Sequence, residues 1–206
     1  WVREKDLRLL LSSIEDTTER AIFLLFATAG LRRSEALHLD LPDIDLDAGH
    51  LRVRSGKGGK DRTVPMSVEL VSAIRRHLRV RVEGPTEALF TSSVGTRLTS
   101  TSLQRMFRGW IESAGLDDRD YSLHSLRHAA ATRWIRAGLN IRDVQQLLGH
   151  EDVGTTSRYL HSSPDRVREE MAQKVPAIGA KPEPEAPGQA QGVEITPEMA
   201  QGLALL

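Results

Sequence analysis

The stretch "LHSLRHAAATRWIRAGLNIRDVQQLLGHEDVGTTSRYLH", residues 123–161, decides the class of fold. It punctuates as a series of helices. Residues 124–137 end at Gly138, residues 141–148 end at Gly149, and a short helix suits about 153–161. His124 and Arg127 are three apart and share a helix face. His150 directly follows a helix-ending Gly, and Tyr159 lies nine residues further on.

Working outward, the same signals recur. Residues 3–14 place Leu7, Leu10, Leu11 and Ile14 at helical spacing. Residues 18–29, TERAIFLLFATA, are apolar after the first turn and read as a central buried helix stopped by Gly30. Helices also suit 33–39, ending before Pro42, and 67–82, with basic residues at 75, 76, 79 and 81. In 100–114, Leu103, Met106, Phe107 and Trp110 share one face, opposite Thr101, Arg105 and Arg108. Ser163-Pro164 is an N-cap with Pro at the first helical position, opening a helix to about 174. The strand signal is "DLDAGHLRVRSGKGGKDRTVPM", residues 45–66. There Leu51 and Val53 alternate with Arg52 and Arg54 before a Gly-rich turn and Arg62–Met66, which predicts an antiparallel hairpin. The expected class is mainly α with a small antiparallel β-sheet, α+β.

With 206 residues and 22.9 kDa, the chain suits one sizeable domain plus appendages. We expect a domain over 1–174, then a Pro/Glu-rich linker and short tail over 175–206. In that tail Thr196-Pro197 can start a last turn or two with Met199, Leu203 and Leu206 on one side. No run suits a membrane span, and no secretory leader pattern opens the chain, so a cytoplasmic location is expected. The chain has no Cys, which excludes disulfides, thiolate metal sites and cysteine nucleophiles. Net charge is zero, mildly against a nucleic-acid binder, but the balance is uneven. Residues 175–206 carry −3 and the rest +3, and 23 of the 28 basic residues are Arg. Arg excess can reflect genomic base composition or a need to grip phosphate bidentately, and composition does not separate the two.

Two stretches carry reactive side chains: "AGLRRSEALHL" at 29–39 and the 123–161 stretch, with Lys57 at the tip of the hairpin between them. The order Arg, Lys, His-x-x-Arg, His, Tyr resembles the tyrosine recombinases, or phage integrase family. The blocks G-L-R-x-S-E, G-K-G-x-K-x-R-x-V-P, L-H-x-L-R-H and L-L-G-H match as well. A final S-x-x-Y block appears here in tighter form as S-R-Y, residues 157–159. The likeness is greatest to the Xer-like branch and covers roughly residues 3–170.

The resemblance implies that family's DNA breaking–rejoining catalytic fold and site-specific strand exchange through a covalent 3′-phosphotyrosine. No ATP, cofactor or metal is expected, because one ester replaces another. Tyr159 would be the nucleophile; its ordinary pKa of about 10 means that it needs help losing a proton. Arg32 and Arg127 would hold the scissile phosphate, with a further hydrogen bond from His150. His124 would act as base or hydrogen-bond partner near the tyrosine. Lys57 would protonate the leaving 5′-oxygen, with Lys60 as its rival. Glu35 would orient the Arg32 guanidinium by a buried pair. Gln104, Arg105 and Arg108, with Lys60, are the candidate DNA contacts. The implied partner is double-stranded DNA. The implied assembly on it is a homo-tetramer, or a hetero-tetramer with a paralogous recombinase, from a chain that is monomeric in free solution.

Each residue also has an ordinary reading: Tyr159 as a half-buried tyrosine, Arg32 as a helix-start surface residue, Lys57 as a turn lysine. His150 can simply cap the preceding helix, and His128 packs as a structural residue. Relatives carry an N-terminal core-binding domain, and the chain, starting at Trp1, is expected to lack it. They also pass a C-terminal helix to a neighbour, a role open to 164–174 or 196–206. Competing functions are a cleavage-incompetent DNA-binding fragment, a type IB topoisomerase-like relaxation activity, and a zinc hydrolase using His124, His128 and His150.

Overall fold

The computed structural model describes residues 2–54, 61–149 and 163–179. Lys57, Lys60, His150, Tyr159, the expected helix at 153–161 and the tail from 180 lie outside the described residues.

The elements follow local chemistry. Helix α1 spans Glu4–Ser13, and α2 spans Thr17–Ala29. The α2 start is capped by the Asp16 carboxylate, which accepts from the Glu19 amide at 2.8 Å, and it ends at Gly30 with φ of 61°. A short α3, Arg33–His38, leads to a 3₁₀ turn at Leu41–Asp43. Strands β1 Ile44–Asp45, β2 His50–Val53 and β3 Arg62–Pro65 form an antiparallel sheet in that order. The register pairs Leu51 with Val64 and Val53 with Arg62. The expected hairpin therefore gains a third strand, β1, which pairs Ile44 with Leu51. Helices α4 Val68–Val80, α5 Ser100–Ser113, α6 Leu123–Arg136, α7 Ile141–Leu148 and α8 Pro164–Lys174 complete the domain. As expected, Ser163 caps α8 with Pro164 in its first turn.

Helix α2 is the axis, buried from Ala21 to Ala29 and flanked by α4 and α6. Helix α5 buries Leu103, Phe107 and Trp110 beside α1 and α3, and the Trp110 indole meets the Phe23 ring edge-on at 5.9 Å. Helix α7 packs on α6 and β3, and α8 lies on β3. Among the described residues, no helix is long and apolar enough to cross a membrane.

Packing against the domain continues past Lys174, into the stretch expected as linker. Ile178 is fully buried, its amide donates to Glu69, and the Pro176 carbonyl accepts from Arg133. A single Ile among Pro and Ala carries no periodicity, so its docking is invisible in the sequence.

Candidate active site

The site begins where α2 stops. The left-handed turn at Gly30 sends the chain to Arg32, the N-cap residue of α3. One turn on, Glu35 reaches back, and its Oε2 accepts from the Arg32 amide at 2.7 Å. Its Oε1 accepts from Arg32 Nη1 at 3.1 Å. Arg32 and Glu35 therefore pair, but the pair is not buried as expected, because the Arg32 side chain faces solvent.

A second arginine holds that carboxylate more tightly. Arg62, the first residue of β3, donates from Nη1 to Oε1 and from Nη2 to Oε2, both at 2.8 Å. A third, Arg127 on α6, brings Nη1 to 3.9 Å from Oε2. The same three arginines grip the end of α7, where three successive backbone carbonyls point outward. Arg62 Nε donates to Leu147 O at 2.7 Å, Arg127 Nη2 to Leu148 O at 2.7 Å, and Arg32 Nη2 to Gly149 O at 3.2 Å. Cations at a helix C-terminus satisfy orphan carbonyls and oppose the negative end of the helix dipole.

Exposure is graded across the cluster. Side-chain exposure is 1% for Arg127, 10% for Arg62 and 47% for Arg32. Arg127 forms the floor. Its Nη1 also donates to Gly30 O at 2.7 Å, and its Nε has no hydrogen-bond partner among the described residues. Arg32 forms the mouth. Among the described residues three guanidiniums face one carboxylate, a surplus of positive charge. Burial would raise the Glu35 carboxyl, but the Arg62 hydrogen bonds and charge, then Arg32, hold it down at about 2. Burial, then the Arg32 charge, lowers the Arg127 guanidinium to about 10, so it stays cationic at neutral pH.

His124 stands one turn before Arg127 on α6, exposed to solvent, with its ring edge-on to His128 at 4.8 Å. Burial of part of its ring, then the Arg127 and Arg32 charges, push its pKa below the ordinary histidine value. The shift favours the neutral ring, which can accept a proton. His128, half-buried, supplies the other ring of that contact.

Gln104, Arg105 and Arg108 lie exposed on α5, the helix that packs beside α3. Neither arginine has an ion pair with a described residue. The structure thus gathers Arg32, Arg127, His124 and Glu35, and places the α5 residues on a neighbouring face. Lys57, Lys60, His150 and Tyr159 lie outside the described residues, but β3 begins at Arg62, five positions after Lys57, and α7 ends at Leu148, two positions before His150. Sequence reasoning missed Arg62. Its one signal was its place in the G-K-G-x-K-x-R-x-V-P block, where it reads as a strand residue.

Fold and site together define a helical domain that gathers guanidinium groups around one carboxylate at the junction of a small sheet and two helix ends. The chain belongs to the phage integrase family, whose model matches residues 1–166. It is 39% identical over 168 residues to a protein named tyrosine recombinase XerC from Pelobacter propionicus, covering 81% of this chain and 55% of that one. It is 37% identical over 163 residues to tyrosine recombinase XerD from Ralstonia nicotianae, covering 77% and 53%. The chain spans about half the length of the curated relatives it matches. Among solved structures, the XerA recombinase superposes with a TM-score of 0.70 at 34% identity, covering 86% of this chain and 66% of that one. The XerH site-specific recombinase bound to its difH substrate superposes with a TM-score of 0.61 at 27% identity, covering 71% and 46%. These matches fix the fold as the tyrosine-recombinase catalytic domain.

Proposed function

We propose that this chain is the catalytic domain of a site-specific DNA recombinase that cuts and rejoins strands through a covalent 3′-phosphotyrosine at Tyr159. The observation that carries the reading is the convergence of Arg32 and Arg127 on Glu35 and the end of α7, leaving positive charge at a solvent-facing mouth. A phosphodiester under attack gains negative charge on its non-bridging oxygens, and fixed guanidiniums stabilise that charge without reorganising.

Tyr159 Oη attacks phosphorus, the bond to the 5′-oxygen breaks, and the ester passes to the tyrosine. A 5′-hydroxyl then reverses the step on the same or a partner strand, so bond energy is conserved. Arg32 binds the phosphate from the mouth, and Arg127 adds its field from the floor. His124 acts as base or hydrogen-bond partner near the tyrosine, and His150 donates a further hydrogen bond to the phosphate. Lys57 protonates the departing 5′-oxygen. The exposed Gln104, Arg105 and Arg108 of α5, with Lys60, would meet the duplex, making binding fall steeply with salt. Assembly as four protomers on DNA, from one or two kinds of recombinase, belongs to the same proposal.

The test needs no known target. The chain is incubated, in excess chelator, with random-sequence duplexes nicked near the centre, and adducts that survive denaturant are captured and sequenced. A recovered consensus site, with adducts lost in Tyr159→Phe, is the expected result. Adducts that persist in Tyr159→Phe, or none from the unaltered chain, would refute it.

A further inference from the structure

Arg62 enters no step of the proposed reaction, yet it lies at the centre of the site. We propose that Arg62 is a positioning residue that sets the geometry of the Arg32 guanidinium by holding both of its acceptors. The inference rests on the recombinase reading and deepens it.

The contacts carry the argument. Arg32 has two anchors, Glu35 and the Gly149 carbonyl. Arg62 grips the first with a two-pronged fork at 2.8 Å and 2.8 Å, which fixes the plane of the carboxylate as well as its position. It grips the helix end that presents the second through Nε to Leu147 O at 2.7 Å. Apart from Arg32 itself, no other described side chain hydrogen-bonds both Glu35 and the α7 end. Glu35, in turn, accepts from the Arg32 amide, so the fork also registers the start of α3.

The backbone makes room for this arrangement. A Cβ at Gly149 would lie 2.8 Å from Arg62 Nη1 and 3.0 Å from its Cζ, so the guanidinium lies flat against a residue with no side chain. At 10% exposure, with its Nε and both terminal nitrogens engaged, Arg62 acts on the reaction through Arg32. Lys cannot replace it, because one ammonium does not span a bidentate carboxylate and a carbonyl on another element.

The test compares Arg62→Met and Arg62→Lys with the unaltered chain, after melting curves confirm that each is folded. The probe is a nicked duplex of the site recovered above, carrying either the ordinary diester or a methylphosphonate at the scissile position. The methylphosphonate bears no charge on its non-bridging positions, so a well-aimed guanidinium matters little to it. Arg62→Met is expected to slow adduct formation about 100-fold on the diester. On the methylphosphonate the slowing should be less than about tenfold, relative to the unaltered chain on the same substrate. Arg62→Lys should recover little of the diester rate. Equal slowing on both substrates would reduce Arg62 to a fold-holding residue, and no slowing would leave Arg32 oriented without it; either overturns the proposal. A second arm needs no DNA. In Arg62→Met, amide hydrogen exchange should quicken in 32–38 and 144–149 while 4–13 and 101–113 stay unchanged; no change in the first two segments also overturns it. If the unaltered chain yields no adduct, the recombinase reading falls, and the exchange arm still decides whether Arg62 holds the two anchors.

Discussion

From Ala21 to Ala29, α2 is held mainly by apolar packing, with Phe23, Leu24 and Leu25 fully buried between α4 and α6. A few residues on, from Arg32 to Glu35, the same chain is held by charge. Four ionised side chains from α3, β3 and α6 share hydrogen bonds there with the end of α7. The first kind of contact is non-directional and scales with area removed from water. The second is directional, and each partner left alone is a poorly solvated charge. The carbon region should therefore tolerate shape-conserving change, whereas the charged junction should not tolerate even an isosteric one.

The sharpest contrast is in stability. Phe23→Ala should cost about 3–5 kcal/mol in urea unfolding, because it empties a packed site beside Trp110. Phe23→Leu should cost less than about 1.5 kcal/mol. Comparable losses for the two would mean that α2 is held by specific ring geometry, not by burial.

Next in size is Glu35→Gln, which keeps shape and removes charge. It should cost about 3 kcal/mol near neutral pH, since Arg62 and Arg127 lose their counter-charge. The pH dependence has a definite sign. The Glu35 carboxyl is depressed from 4.5 to about 2, so its contribution is full above the ordinary value and disappears as pH falls through the window between them. The unaltered chain should lose stability across that window more steeply than Glu35→Gln. Parallel acid slopes would show that the carboxylate is not held by the arginines.

Smallest is a pair of glycine substitutions. Gly149 and Gly138 both have positive φ, 70° and 84°, but a Cβ at Gly138 meets open space whereas one at Gly149 meets Arg62. Gly138→Ala should cost about 1–2 kcal/mol from backbone strain alone. Gly149→Ala should cost more and should also slow adduct formation. Equal melting losses and an unchanged rate in Gly149→Ala would break the link between that turn and the arginine cluster.

Much of this was legible in the chain. Gly30 and Gly149 mark helix ends, Ser163-Pro164 marks a start, and the α5 spacing names its buried face, because such signals are local. The pairing of Arg32 with Glu35 was legible for the same reason, the two being one turn apart. Strand β1 was not, since two residues pairing through backbone alone leave no side-chain pattern. The docking of Ile178 and the role of Arg62 were also hidden, because each depends on partners far away in the chain.

Among the described residues, the sequence by itself marked the helical segments and their ends to within a residue or two, and it showed which residue types are available for phosphate chemistry. Tertiary structure decided that Arg127 is the floor and Arg32 the mouth, and that Arg62 joins them through Glu35. The reason is range. Periodicity and capping act over a turn or two of backbone, whereas desolvation and the sharing of one carboxylate among several guanidiniums exist only once distant elements have packed together.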